Sequence, residues 1–380
     1  MEKAKRRLRA QGPAGFFMIY KTHDYPARSA HVSGTISPFP TSGCVSATEV
    51  CGASGRVLKP VPSYIGRFAP SPTGPLHFGS LVAALGSYLD ARAAGGQWLL
   101  RIEDVDTPRN VPGAADDILR TLTGFGFEWD GEPVWQSRRQ QAYRDALAAL
   151  RTQGAIYACS CSRREIADSS VLASVDGGRV YPGTCRDGVA AGRSARAWRV
   201  KVCDATLDFD DRVQGRVAQN LERDIGDFVL LRADGLYAYQ LAVVVDDAEA
   251  GVTDIVRGAD LIDSTPRQLW LQQCLGYPQP RYAHLPVATN AAGEKLSKQT
   301  LAPAASADDG VAALVRAMYF LGQAVPVEVA QSPLAEFWSW AIAHWDAGSV
   351  PRQRALMPAA ITSDADRQPD KLIAGPTQQL

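Results

Sequence analysis

The sequence predicts an α/β fold: a doubly wound parallel sheet, split by an inserted β-rich, mixed domain and closed by short C-terminal helices. Three observations predict it. A strand–helix–strand–helix order runs from Tyr64 to Gln153. Short β-like runs separated by turns take over at Ala155. Strand–helix order then returns at Val252. Parallel strands need long crossovers, usually helical, so this alternation favours a parallel sheet over a meander.

Taken in order, residues 1–62 lack sustained periodicity and are rich in Pro, Ser, Gly and Ala, which predicts a disordered extension. Its basic cluster Lys3–Arg9 also suits a transit peptide, whereas the apolar stretch Phe16–Tyr20 is too short for a secretory core. Cys44 and Cys51 lie there without a matching pair. Tyr64–Phe68 reads as a short strand entering a Pro/Gly-rich loop. Leu81, Val82, Leu85, Tyr88 and Leu89 fall at helical spacing from Ser80 to Ala94, and Gly95-Gly96 stops the helix. Trp98–Ile102 is a buried strand ending in Glu103-Asp104, and helices follow near Ala114–Leu122 and Arg139–Gln153. In the insertion, Ala197–Val202, Phe228–Arg232 and Leu236–Val245 read as strands. Val252–Val256 resumes the sheet, and Ser264-Thr265-Pro266 should cap and start a helix to Cys274. Arg281–Ala288 is the next strand, before a loop over Asn290–Thr300 and helices near Asp308–Leu321 and Leu334–His344. The domain expectation is therefore a catalytic unit in two halves, 63–154 and 246–300, an insertion over 155–245, and C-terminal helices with a polar tail over 301–380.

Composition narrows the function classes. The 40 basic and 40 acidic side chains cancel, but residues 1–62 carry nine basic groups against three acidic ones, so the remainder is net negative. A nucleic-acid partner would have to use a local patch or shape rather than bulk charge. No apolar run approaches the roughly 18 residues of a membrane span, so a helical membrane protein is excluded. Seven cysteines in 380 residues do not make a disulfide framework, and Cys159-Ser-Cys161 is close enough to suggest a metal instead.

Three segments carry chemistry. In Pro70–Ser80, a strand, a loop and a helix place backbone N–H groups and a positive helix end at one spot, which suits an anion. His77 can donate to phosphate there, and Gly79 allows close approach, although an ordinary strand–loop–helix joint reads the same. In Gly293–Gln299, Lys295 and Lys298 can neutralise a leaving pyrophosphate, or simply decorate a solvated loop. Finally, Cys159, Cys161 and Cys185 supply three thiolates that one further donor would complete to a closed, structural zinc site. Cys203 competes for that fourth place, and inert reduced thiols are the alternative.

Together, the first two segments resemble the HIGH-type and KMSKS-type elements of class I aminoacyl-tRNA synthetases, as Leu76-His77-Phe78-Gly79 and Lys295-Leu296-Ser297-Lys298-Gln299. Arg67-Phe-Ala-Pro-Ser-Pro-Thr-Gly74 and Leu99-Leu-Arg-Ile-Glu-Asp104 narrow the likeness to the glutamyl branch. The resemblance implies a Rossmann-type catalytic domain in which Arg67, Phe68, Ala69, Pro70, Ser71, Glu103, Tyr239 and Arg257 surround glutamate. Arg67 and Arg257 suit its carboxylates, Glu103 its ammonium and Tyr239 a hydroxyl contact. An ion pair of Arg257 with Asp254 or Asp260 is the structural alternative. The resemblance also implies ATP at His77, Gly79 and Lys298, with Mg²⁺ on its phosphates and His77, Lys295 and Lys298 as catalytic groups.

Residues 300–380 are too few for the large helical anticodon-reading domain of the charging enzymes, and His77–Arg92 lacks their Arg-Thr-Ala element. Over residues 63–345 the chain resembles instead the glutamyl-Q tRNA(Asp) synthetases. That likeness implies Tyr181 as the fourth zinc donor beside Cys159, Cys161 and Cys185, although Ser162–Val180 is longer than the family usually shows. It implies activation of glutamate by ATP, transfer to queuosine at the wobble position of tRNA(Asp), a cytoplasmic setting, and no membrane or obligate protein partner. A shortened charging enzyme for tRNA(Glu) and a non-catalytic RNA-binding paralogue are the competing readings.

Overall fold

A computed structural model describes residues 64–169, 174, 178–290, 292–296 and 304–358. The basic extension over 1–62, with Cys44 and Cys51, lies outside the described residues, as do Ser297 and Lys298.

The first half of the sheet is built as the alternation requires. Strand β1 (Ile65–Phe68) pairs parallel with β2 (Gln97–Ile102) from Ile65↔Gln97 to Phe68↔Leu100, and helix α1 (Phe78–Ala93) crosses between them. Helix α2 (Ala114–Gly124) leads to β3 (Val134–Trp135), which extends the sheet parallel to β2. Helix α1 is buried along both flanks, and Leu81, Leu85 and Leu89 are essentially inaccessible. Gly86 lets it lie directly on the sheet, since a Cβ there would stand 2.5 Å from Leu285 Cδ1.

After α3 (Gln140–Thr152) the chain enters a separate antiparallel sheet, in which β4 (Ile156–Cys159), β5 (Ala197–Val200) and β8 (Val229–Leu231) pair in the order β4-β5-β8. Helix α4 (Arg163–Ser169) follows β4. The hairpin between β5 and β8 behaves differently. Its strands β6 (Thr206–Asp211) and β7 (Gly215–Asn220) leave the small sheet, and β6 pairs parallel with β10 (Arg281–Leu285) at Tyr282↔Asp211. Strand β10 also pairs parallel with β9 (Asp254–Gly258). Thr253 joins the two halves: its N–H donates to Ile65 O at 2.9 Å and its hydroxyl accepts from Ile65 N at 2.8 Å.

Two local readings are corrected. Leu236–Val245 is not a strand: after Tyr237 it becomes helix α5 (Tyr239–Glu249), which crosses residue 245. Every residue from Leu241 to Asp247 is buried, so the helix shows no polar stripe, and the Val-Val-Val run reads as a strand. Ser264 does not cap α6 (Thr265–Leu275) with its hydroxyl; a 3-10 helix over Ala259–Ser264 runs into it, and Ser264 Oγ accepts from Gln240 Nε2 at 3.0 Å.

The C-terminal helices α7 (Gly310–Phe320), α8 (Val327–Ala330) and α9 (Leu334–Ala343) belong to the main core. Trp338 of α9 packs edge-on against Tyr88 and Phe127, and its indole donates to Phe125 O at 3.0 Å. Phe68 and Trp98 stack 6.1 Å apart in the same cluster. Two short strands, β11 (Val287–Ala288) and β12 (Ala355–Leu356), tie the end of the described chain to the exit of β10. No helix among the described residues is long and apolar enough to cross a membrane.

Candidate active site and metal centre

In an open parallel sheet, ligands collect at the carboxyl ends of the strands. Here β1 ends at Phe68, β9 at Gly258 and β10 at Leu285, and all three border a cleft of about 540 Å³. His77, Gly79 and Ser80 line it from the start of α1, Phe68–Ser71 from the loop after β1, and Asp260, Lys295 and Leu296 from the far side.

His77 is the N-cap of α1: Nδ1 accepts from Ser80 N at 3.3 Å, and Nε2 lies 3.2 Å from Ser80 Oγ. With Nδ1 accepting, Nε2 carries the proton and is a donor. A Cβ on Gly79 would stand 3.2 Å from His77 Cε1 and 3.3 Å from Nδ1, so glycine leaves room for the imidazole to fold over the helix start. Lys295 Nζ donates to Asp260 Oδ2 at 2.5 Å, and Leu296 N donates to Ala288 O at 2.7 Å. Lys298 lies outside the described residues, so only Lys295 of the pair is placed at the cleft.

Arg67, Glu103, Tyr239 and Arg257 are not among the residues lining that cleft; Arg67 and Arg257 are on β1 and β9, one residue before Phe68 and Gly258, Glu103 follows β2, and Tyr239 starts α5. Their charges converge, since the Tyr239 phenol is influenced by Arg257, Glu103, Arg67 and Asp247. Two residues not singled out in the sequence hold the group together. Asp247 Oδ1 accepts from Arg101 Nη1 at 2.6 Å and from Arg67 Nε at 3.3 Å, and Arg101 Nη2 donates to Glu103 Oε1 at 3.2 Å. Tyr239 and Asp247 are eight positions apart on α5 and therefore share a helix face. Arg257 donates to His284 Nε2, Thr265 Oγ1 and Leu261 O and lies 3.5 Å from Tyr239 Oη. Asp254 instead pairs with Arg281, and Asp260 with Lys295.

Electrostatics follow from this burial. Burial pushes the Glu103 carboxyl up, against the opposing pull of Arg101 and Arg67. Burial acts the same way on Asp247, but there Arg101 and Arg67 win and hold it below the usual carboxylate range. Burial raises the Tyr239 phenol, so it stays protonated and can donate. Three guanidinium groups against two carboxylates leave one positive charge, the complement of a glutamate with two carboxylates and one ammonium.

The second cluster is in the insertion. The sulfurs of Cys159, Cys161 and Cys185 lie within 4.8 Å of one another. Tyr181 Oη stands 3.4 Å from both Cys159 Sγ and Cys161 Sγ, and Cys161 Sγ stands 3.6 Å from Cys185 Sγ. A tetrahedron with metal–sulfur bonds of about 2.3 Å and a metal–oxygen bond of about 2.0 Å has S···S edges of about 3.8 Å and S···O edges of about 3.5 Å. The Cys161–Cys185 separation and the two Tyr181–sulfur separations fit those edges. Cys203 is outside the group, exposed, and near Cys274 instead. Backbone N–H of Cys185 donates to Tyr181 Oη at 3.0 Å. The Arg199 guanidinium lies 4.0 Å over the Tyr181 ring and donates to Cys159 Sγ at 3.4 Å, where it would partly offset the charge of a thiolate–phenolate donor set.

Arg101, Asp247 and His284 had a sequence signal: each is a charged or titratable residue set inside an apolar run, as in Trp98-Leu-Leu-Arg-Ile102 and Leu241-Ala-Val-Val-Val-Asp-Asp247. Such residues are rarely buried unless paired.

Comparison with known proteins shows the family. Residues 65–324 match the family model for "tRNA synthetases class I (E and Q), catalytic domain". The chain is 66% identical over 294 residues to a glutamyl-Q tRNA(Asp) synthetase of Dechloromonas aromatica, covering 77% of this chain and 98% of that protein. It is 60% identical over 312 residues to that of Aromatoleum aromaticum, covering 82% and 98% respectively. Among solved structures, a glutamate-tRNA synthetase from Elizabethkingia anophelis superposes with a TM-score of 0.63 at 25% identity, over 76% of this chain and 67% of that one. On the family match and on likeness across almost the whole length of these relatives, the chain belongs to the glutamyl-Q tRNA(Asp) synthetase family of the class I tRNA synthetases.

Proposed function

We propose that this chain activates glutamate with ATP and transfers the glutamyl group to queuosine at the wobble position of tRNA(Asp), in the cytoplasm. The observation that carries the reading is the buried, singly positive cluster of Arg67, Arg101, Glu103, Asp247 and Arg257 beside the His77–Lys295 cleft. It is complementary to one glutamate next to one nucleotide.

In the first step a glutamate α-carboxylate oxygen attacks the α-phosphorus of ATP and pyrophosphate leaves, giving glutamyl-adenylate. Arg67 and Arg257 take the two substrate carboxylates, Glu103 takes the ammonium, Tyr239 donates its hydroxyl, and the Phe68–Ser71 backbone closes the pocket. His77 donates from Nε2 to phosphate oxygens at the positive end of α1, where Gly79 admits the nucleotide. Lys295, oriented by Asp260, and Lys298 offset the charge that develops on pyrophosphate. Mg²⁺ arriving with ATP supplies further neutralisation of the phosphates. In the second step a hydroxyl of the queuosine cyclopentenediol attacks the glutamyl carbonyl and AMP leaves. The protein aligns and neutralises; it offers no covalent nucleophile. Cys159, Cys161, Cys185 and Tyr181 would hold a Zn²⁺ that cross-links the insertion, and four protein donors leave it no open position for catalysis.

The test is transfer of labelled glutamate, with ATP, onto tRNA from queuosine-containing and queuosine-lacking cells. Label confined to tRNA(Asp) of the first pool is the expected result. Label on tRNA(Glu) from both pools would make the chain a charging enzyme, and no label on either would overturn the ligase reading.

A further inference from the structure

We propose that His284 is a positioning residue for the glutamate site: held in one tautomer by Asp211, it fixes the Arg257 guanidinium in the orientation that meets a substrate carboxylate. The proposal rests on the glutamate reading of that pocket. Both side chains are completely buried, with His284 Nδ1 2.6 Å from Asp211 Oδ2. The other oxygen, Oδ1, accepts from the backbone N–H of Val213, Gln214 and His284 at 3.0, 2.8 and 3.0 Å. A carboxylate so engaged is an acceptor, and burial of Asp211 is outweighed by His284 and these N–H groups, which keep it ionised. Nδ1 must therefore carry the imidazole proton, which leaves Nε2 as an acceptor. Arg257 Nε, which can only donate, lies 3.0 Å from it. Burial lowers the imidazole to about 4, so the ring is neutral at physiological pH and does not repel the guanidinium.

Arg257 is thus anchored on one edge. Nε is held by His284 and Nη2 by Thr265 Oγ1 at 2.8 Å, so Nη1 is turned toward Tyr239 Oη. Asp211 stands at the tip of the β6–β7 hairpin, and its reach to His284 couples that hairpin to the pocket. A buried histidine that merely satisfies its own hydrogen bonds would also look like this, so the test must separate tautomer from packing.

Asp211→Asn does so. The amide oxygen can still accept from the three backbone donors, while its N–H₂ now donates to Nδ1 and moves the imidazole proton to Nε2, facing the Arg257 donor. The readout is glutamate-dependent pyrophosphate exchange by the full chain, with thermal midpoints measured alongside. KM for glutamate should rise roughly 10- to 100-fold, the loss expected when a hydrogen bond to a charged group is misaligned. Turnover and KM for ATP should stay within about threefold. His284→Gln, whose amide oxygen can accept from Arg257, should lie closer to wild type than His284→Leu. A folded Asp211→Asn protein with unchanged glutamate KM overturns the proposal, as does an equal fall in every parameter with a lowered midpoint. If Asp211→Asn fails to fold, equal glutamate KM values for the Gln and Leu variants overturn it. Wild-type protein without glutamate-dependent exchange would sink the functional reading itself, and is seen before any variant is made.

Discussion

Replacing Asp247 by alanine tests the buried charge chain most directly. Its side chain is 5% exposed and lies between Arg67 and Arg101, each 4% exposed. Removing it leaves two buried guanidinium groups with Glu103 and, 3.9 Å from Arg101 Nε, Asp246 as the nearby carboxylates, and makes the cluster one charge more positive. Breaking a buried pair by deleting one partner costs about 3–5 kcal/mol, mostly because the remaining charge is uncompensated. At about 2–4 °C per kcal/mol for a domain of this order of size, the melting midpoint should fall by roughly 6–20 °C. Arg67 also loses its anchor on Nε, so KM for glutamate should rise about tenfold or more. Calorimetry and pyrophosphate exchange on the same preparation give both numbers. A midpoint within about 2 °C of wild type would show that Asp247 does not compensate those guanidinium groups, and the account of the pocket would fail with it.

Three further outcomes are expected. Lys295→Ala, a half-exposed side chain bonded to Asp260, should lower the adenylation rate by about 10²-fold or more and leave the melting midpoint unchanged; a normal exchange rate would remove this loop from the chemistry. Cys185→Ser should abolish stoichiometric zinc, and Arg199→Met should weaken zinc retention against a chelator by about 10- to 100-fold; full retention by both would show that the thiolate–phenolate cluster is not a metal site. The pH dependence of stability has a fixed sign at His284. Its folded pKa, about 4, lies below the ordinary 6.5, so its contribution is complete above about 6.5 and is lost as pH falls toward 4. Between pH 7 and 4 wild type should lose more stability than His284→Gln. Parallel stability curves would contradict it.

The parts of the fold visible in the sequence were those with a period or a stop signal. Helix α1 shows apolar positions at helical spacing and stops just before Gly95-Gly96, and β2 is a compact apolar run before a charged pair. The cleft proposed for the nucleotide is visible for a related reason: His77 and Gly79 sit at the start of α1 and Lys295 in a loop, where an unusual residue has little packing duty to explain it. The ligand cluster of the insertion was visible because thiols at short spacing are uncommon in a chain of this length. Partners in space were not visible. Nothing in the one-dimensional spacing links Asp211 to His284 across 73 positions, or Arg101 to Asp247 across 146.

Helix α5 shows why those misses matter. Its apolar residues run continuously, as in a strand, because every residue from Leu241 to Asp247 is buried. Complete burial also explains its charges: Asp246 and Asp247 can stay there only because Arg139, Arg101 and Arg67 reach them from three other elements. Asp246 accepts from Gln136 Nε2 at 2.7 Å and from Tyr143 Oη at 2.8 Å, which locks α5 against α3 and the loop before it. The same helix presents Tyr239 at its first residue and Asp247 two turns later, so it carries one proposed substrate contact and the anchor of another. A segment that must be apolar on every face and still hold ionised groups has no amphipathic signature. The position where periodicity fails is therefore the position where the proposed glutamate pocket is assembled.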